Sequence, residues 1–97
     1  MTETSRGLDW SEFAGREGKT YRVPVGDAET ELRLEKAQTL SDSGREGGSF
    51  RLEFVGPAAA LLTQGIYRFS DEEGEREIFI VPIAHTPEGA RYEAIFY

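Results

Sequence analysis

Phe50-Arg51-Leu52-Glu53-Phe54-Val55-Gly56-Pro57 is the stretch that decides the fold. Three large apolar side chains recur at every second position, with charged residues between them. That is the period of a strand with one face on a core and one face in water. Gly-Pro then ends it, because proline has no N–H to continue a ladder.

Outward from this strand the same period returns. Towards the N-terminus, Leu32 and Leu34 alternate with Glu31, Arg33 and Glu35, which predicts a strand over about 29–37. Before it, Tyr21, Val23 and Val25 share one parity, and Gly26-Asp27 is a turn signal, so the two form a hairpin. Pro24 marks the first of these strands as an edge or bulged one. Towards the C-terminus, Ile66-Tyr67-Arg68-Phe69 predicts a fourth strand, and Ser70–Glu75 an acidic turn. Ile78-Phe79-Ile80-Val81-Pro82-Ile83 is apolar on both parities, which predicts a strand covered on both faces, at the centre of the fold or facing both barrel core and lid. After a turn at His85–Gly89, Tyr92, Ala94 and Phe96 alternate with Glu93, Ile95 and Tyr97 in a last strand.

Two segments interrupt the pattern. Leu8-Asp9-Trp10-Ser11-Glu12-Phe13 predicts a short N-terminal helical turn, capped by Asp9 and broken by Gly15 and Gly18. It serves as a lid over about 8–14, with Leu8, Trp10 and Phe13 plugging one end of the core. Residues Ser41–Gly48 form a long polar loop rich in glycine, and Ala58–Leu62 has room for one helical turn. The chain thus reads as a single all-β domain over 1–97, a small antiparallel six-stranded barrel or sandwich.

Composition narrows the functional classes. The 97 residues are 38% hydrophobic and 30% charged, which suits a folded domain. Eighteen acidic residues against 11 basic ones give a net charge of -7, and the cations are dispersed along the chain. Binding to nucleic acid or to an anionic membrane surface is disfavoured on electrostatic grounds. There is no cysteine, so disulfides and thiolate metal sites are excluded. No segment has the apolar run of a signal peptide or a membrane span. The expected location is the cytoplasm, or a phage-like particle or exported fibre into which the chain is incorporated.

Each chemical motif has a plainer structural reading. His85 is the single histidine and lacks a nucleophile or second ligand at a telling spacing, so it reads as a solvated turn residue. Asp71, Glu72, Glu73 and Glu75 lack the alternating ligands and distant bidentate Glu of a calcium loop, so they read as a solvated hairpin tip. Gly44-Arg45-Glu46-Gly47-Gly48 lacks the Lys-Ser/Thr of a phosphate loop. Catalytic, metal and cofactor residues are therefore expected to be absent.

The remaining candidates are contact residues. Arg45 lies in a loop suited to recognition. Gln64 beside Gly65, with Tyr67 and Tyr92, would line the pocket of a small-ligand-binding barrel, the alternative reading. Ile95 and Tyr97 lie on the outer parity of the last strand and would offer an apolar strip for pairing. Glu93, if covered, needs an arginine partner, Arg68 or Arg51. The aromatics Phe50, Phe54, Tyr67, Phe69, Phe79, Tyr92 and Phe96 read as core. The leading expectation is a non-enzymatic structural or protein-interaction module.

Several landmarks occur together. They are Phe13 and Gly15; Phe50, Leu52, Phe54, Gly56 and Pro57; Leu62, Gln64, Gly65 and Tyr67; Phe79, Val81 and Pro82; and Tyr92, Glu93, Ala94 and Phe96. In this the sequence resembles a family of small bacterial proteins classed as a domain of unknown function. The match runs over nearly the whole chain and departs from the family pattern at Tyr97 and in the acidic loop Ser70–Glu75. The resemblance implies no catalytic residues. It implies a neighbourhood of tail-collar-like fibre proteins, and hence a partner in a phage-tail-like or surface-fibre assembly.

Overall fold

The computed structural model describes residues 12–39, 50–59 and 61–96. Six antiparallel strands, β1 (Thr20–Val25), β2 (Ala28–Thr39), β3 (Phe50–Gly56), β4 (Gly65–Asp71), β5 (Gly74–Thr86) and β6 (Gly89–Phe96), close into a barrel in the order β1-β2-β3-β6-β5-β4. The expected choice between barrel and sandwich resolves as a barrel. No helix occurs among the described residues. Leu8, Trp10 and the predicted helical turn about Asp9 lie outside them, as do the loop 41–48 with Arg45, and Tyr97.

Parity decides what enters the barrel. Phe50, Leu52 and Phe54 on β3, Leu32 and Leu34 on β2, and Ile78 and Ile80 on β5 all point inward and are buried. The aromatics interlock at the centre. Tyr21 meets Phe54 edge-on at 6.2 Å and Phe69 at 6.0 Å, and Phe50 stacks on Phe96 at 4.6 Å. Such tilted and offset pairs add to the free energy of burial itself. Phe13, the one described residue of the three expected to plug the core, is buried with its ring 6.1 Å from Phe50.

Three expectations need correction. The Ile78–Ile83 stretch is not covered on both faces: Phe79 is 44% and Ile83 45% exposed. A closed barrel has one interior, and no described element packs on the outer wall of β5. Phe79 is therefore not a core aromatic, whereas Tyr67, half-buried, packs against the core. The last strand offers no free edge, because β6 pairs with β3 on one side and β5 on the other. Ile95 is exposed on the outer face of that paired strand.

Two prolines limit the closure. The β1–β4 seam holds one registered pair, Arg22↔Ser70. Two residues further along β1 sits Pro24, which has no N–H to extend that side of the ladder. The β2–β3 register likewise ends at Arg33↔Val55. Counting on in antiparallel sense, Pro57 falls opposite Glu31 and again lacks the donor.

Candidate functional site

The outer wall divides into an apolar panel and a charged panel. On the apolar side, β4 and β5 place Ile66 directly opposite Phe79. On β5 and β6, Val81 faces Glu93, which sets Phe79 level with Ile95 two residues along. Ile66, Phe79 and Ile95 thus form a row across three adjacent strands, 54%, 44% and 40% exposed. Ile83 extends the apolar character along β5. Exposed large side chains in contiguous array mark interaction surfaces more often than isolated ones do.

The charged panel adjoins it on β2, β3 and β6. Arg51, opposite Ile95, donates from Nε to Glu93 Oε2 at 2.8 Å and from Nη1 to Gln38 Oε1 at 2.9 Å. Arg91 Nη1 donates to Glu53 Oε2 at 3.0 Å, and Arg51 lies 3.5 Å from the same carboxylate. Glu53 points outward yet is buried, covered by these two guanidinium groups. The partner of Glu93 is Arg51, one of the two expected. Arg68 instead lies 3.7 Å from Glu75.

In the acidic turn Glu72, Glu73 and Glu75 are exposed, as expected of a solvated tip, but Asp71 is not. Along β4 the parity that buries Phe69 carries Asp71 inward, and its side chain is 1% exposed. It accepts the Glu73 N–H at 2.8 Å and lies 3.3 Å from Arg76 and 3.5 Å from Lys19. Burial pushes the Asp71 carboxyl up. The Glu73 amide and the two cations outweigh that and hold it below its ordinary value. Arg76 also points inward, 6.0 Å from the ring centres of Phe13 and Tyr21. This end of the barrel is closed by an ionic cluster, which Arg16 extends to Glu73 at 2.8 Å. Sequence reasoning missed the cluster, although Lys19 shares the inward parity of Tyr21. The buried Tyr21 hydroxyl has no hydrogen-bond partner among the described residues.

The opposite end gathers the three residues assigned to a ligand pocket. Tyr92 is fully buried and its hydroxyl accepts the Leu62 N–H at 2.9 Å. The Tyr67 hydroxyl donates to the Thr63 carbonyl at 2.8 Å. Gln64 follows in the same segment and is exposed. The two phenols anchor the chain between β3 and β4 across the barrel mouth. His85, exposed on β5, donates from Nε2 to the Ala58 carbonyl at 2.8 Å and so ties down the start of that segment. Among the described residues no three His, Asp or Glu side chains gather to hold a metal ion.

A comparison with protein-family profiles matches residues 8–96 to a domain of unknown function, DUF6916. The chain belongs to that family. Comparisons with curated proteins and with solved structures returned no match. The DUF6916 match spans every strand of the barrel and the segment that crosses its mouth. At Gly56 of β3 a Cβ would sit 2.4 Å from Leu32 Cδ2, so a larger residue there would force that buried side chain to shift. No helix among the described residues is long and apolar enough to cross a membrane.

Proposed function

We propose that this DUF6916 barrel is a non-enzymatic protein-interaction module that docks through the outer wall of β4, β5 and β6. The observation that carries this reading is the exposed row Ile66, Phe79 and Ile95. An aromatic flanked by two β-branched side chains on a rigid wall supplies an anchor that loses little entropy on binding. The adjoining Arg51–Glu93 and Arg91–Glu53 pairs give the row a polar border, the usual anatomy of a docking face. The bacterial family resemblance supports a tail-collar-like fibre protein as the partner. The chain would then be made in the cytoplasm and carried into a phage-tail-like or surface-fibre particle.

Affinity capture from the native host with the tagged chain, followed by mass spectrometry, tests this. The expected result is co-purification of a fibre protein, lost with Phe79→Lys while the circular dichroism spectrum stays the same. Removing a central aromatic anchor costs about 2 kcal/mol or more, roughly 30-fold in affinity. Recovery of the chain alone, or capture of the same partner by wild type and Phe79→Lys, overturns the reading.

A further inference from the structure

We propose a second docking site, independent of the outer row: the N-terminal half of β2 accepts an extended basic peptide as an added strand. Four observations carry this. The first is the direction of the main chain. Leu34 donates its N–H to the Lys19 carbonyl at 2.8 Å and accepts from Gly18 N–H at 2.7 Å, so its peptide groups face β1. Strand alternation gives Leu32 and Thr30 the same direction and turns those of Arg33, Glu31 and Glu29 the other way. Arg33 meets Val55 there.

The second observation is the end of that ladder. Pro57 is opposite Glu31 and has no N–H to donate, and no β2–β3 pair is registered beyond Arg33↔Val55. The barrel is closed, yet the outward-turned peptide groups of Glu29 and Glu31 lie past the last rung. They have the spacing of donor and acceptor pairs that an extended chain satisfies in β-augmentation.

The third observation is the space beside them. A groove of about 390 Å³ runs between β2 and the segment after β3, lined by Val25, Ala28, Glu29, Thr30, Pro57, Leu61 and Leu62. Pro57 also borders a second trough of about 300 Å³, which takes in Glu31, Arg33, Val55 and Glu88. An added strand needs such a floor for alternate side chains, and Leu61, 54% exposed, offers an apolar one.

The fourth is charge. Glu29, Glu31 and Glu88 are exposed along the two troughs, and the one cation lining them, Arg33, is held by Glu35 at 2.8 Å. The site therefore selects a positively charged segment, with lysine or arginine over the carboxylates and small apolar side chains towards Leu61 and Leu62.

The test is a titration of ¹⁵N-labelled protein with a synthetic peptide alternating lysine and valine, about six residues long, the ordinary length of a strand. The expected result is chemical-shift change at the amides of Glu29, Glu31 and Leu62, with slower hydrogen exchange at Glu29 and Glu31. A peptide alternating glutamate and valine, and a lysine–valine peptide N-methylated at alternate residues, should produce neither effect. The double variant Glu29→Lys, Glu31→Lys should weaken binding about 10-fold or more, from two reversed charge contacts. Phe79→Lys should leave it unchanged, which separates this site from the outer row. Equal binding of the glutamate or N-methylated peptide overturns the proposal. So does strong exchange protection of Glu29 and Glu31 in the free protein, which would mean that a second copy or the chain itself covers the edge.

Discussion

Three tyrosines carry the same phenol into three different environments, and removing each hydroxyl should move stability in three different ways. In Tyr21→Phe the deleted group is buried and has no partner among the described residues. Its folded state carries a desolvated hydroxyl that water would satisfy in the unfolded chain, an imbalance of about 1–3 kcal/mol. Burial is also the main cause that pushes the Tyr21 pKa up. The phenylalanine keeps the edge contacts to Phe54 and Phe69 and loses one atom of packing, so we expect a net gain of about 1 kcal/mol. In Tyr92→Phe the sign reverses. The hydroxyl accepts the buried Leu62 N–H at 2.9 Å, and its loss orphans that donor at a cost of about 1–3 kcal/mol. In Tyr67→Phe the partner is the Thr63 carbonyl at an exposed position, which water can take over, so the loss is about 0.5 kcal/mol. Urea titration reads all three. With a slope of about 1 kcal/mol per molar, the midpoint should rise by about 1 M for Tyr21→Phe and fall by about 1–3 M for Tyr92→Phe. A lowered midpoint for Tyr21→Phe, or equal shifts for all three variants, refutes the hydrogen-bond assignments on which the signs rest.

Further outcomes follow from other contacts. Gly89→Ala should destabilise by about 2 kcal/mol or more, since φ is +155° and the new Cβ would lie 2.7 Å from the Gly56 carbonyl oxygen. Gly74→Ala, at φ +134° with open space around it, should cost about 1 kcal/mol, and thermal unfolding compares the two. The Asp71 carboxyl is held below its ordinary value when folded, so its contribution is present above the unfolded carboxylate pKa and lost as pH falls through the folded one. Asp71→Asn should therefore lower the urea midpoint at pH 7, with the gap to wild type closing on acidification. Arg51→Ala should cost about 1–2 kcal/mol, because it uncovers Glu53 and Glu93. Arg33→Ala, which breaks the exposed pair with Glu35, should cost about 0.5 kcal/mol or less in the same unfolding assay.

Much of the fold was legible because a barrel wall has the simplest periodicity a chain can write. Phe50, Leu52 and Phe54 declare their face without reference to any other strand. The reading failed where an apolar residue has two possible reasons to be apolar. Phe79 and Ile83 have the composition of buried residues, and parity alone does not say whether a second layer lies outside the wall. The same ambiguity hid the Ile66–Phe79–Ile95 row, whose members sit on three strands and become neighbours only through register. Glu93 was easier, since a covered carboxylate on a strand must find a cation on the next one, and β3 brings Arg51. Asp71 was misread because its neighbours Glu72 and Glu73 look like a solvated tip. The inward parity running from Phe69 to Asp71, and from Tyr21 back to Lys19, was the signal that outweighs them.

Register explains the other part that stayed hidden. Pro24 and Pro57 are each a proline at or just beyond a strand; the first suggests an edge, and the second only a strand end. In a closed barrel no strand is an edge along its whole length, so that inference holds only locally. At β1 the missing donor falls on the seam with β4, where a single pair, Arg22↔Ser70, carries the closure. After β3 it falls opposite Glu31, where β2 still pairs with β1 and so stays extended while its other side runs out of partners. A strand held straight on one side and unpaired on the other is the arrangement an incoming chain needs, because its own peptide groups are already set at strand spacing. Replacing Pro57 with Ala would restore the N–H opposite Glu31 and allow one more rung. The new amide at position 57, donating to the Glu31 carbonyl, should then be protected from exchange in the free protein, and the lysine–valine peptide should bind more weakly than to wild type. Fast exchange of that amide would show that something other than the missing donor ends the ladder.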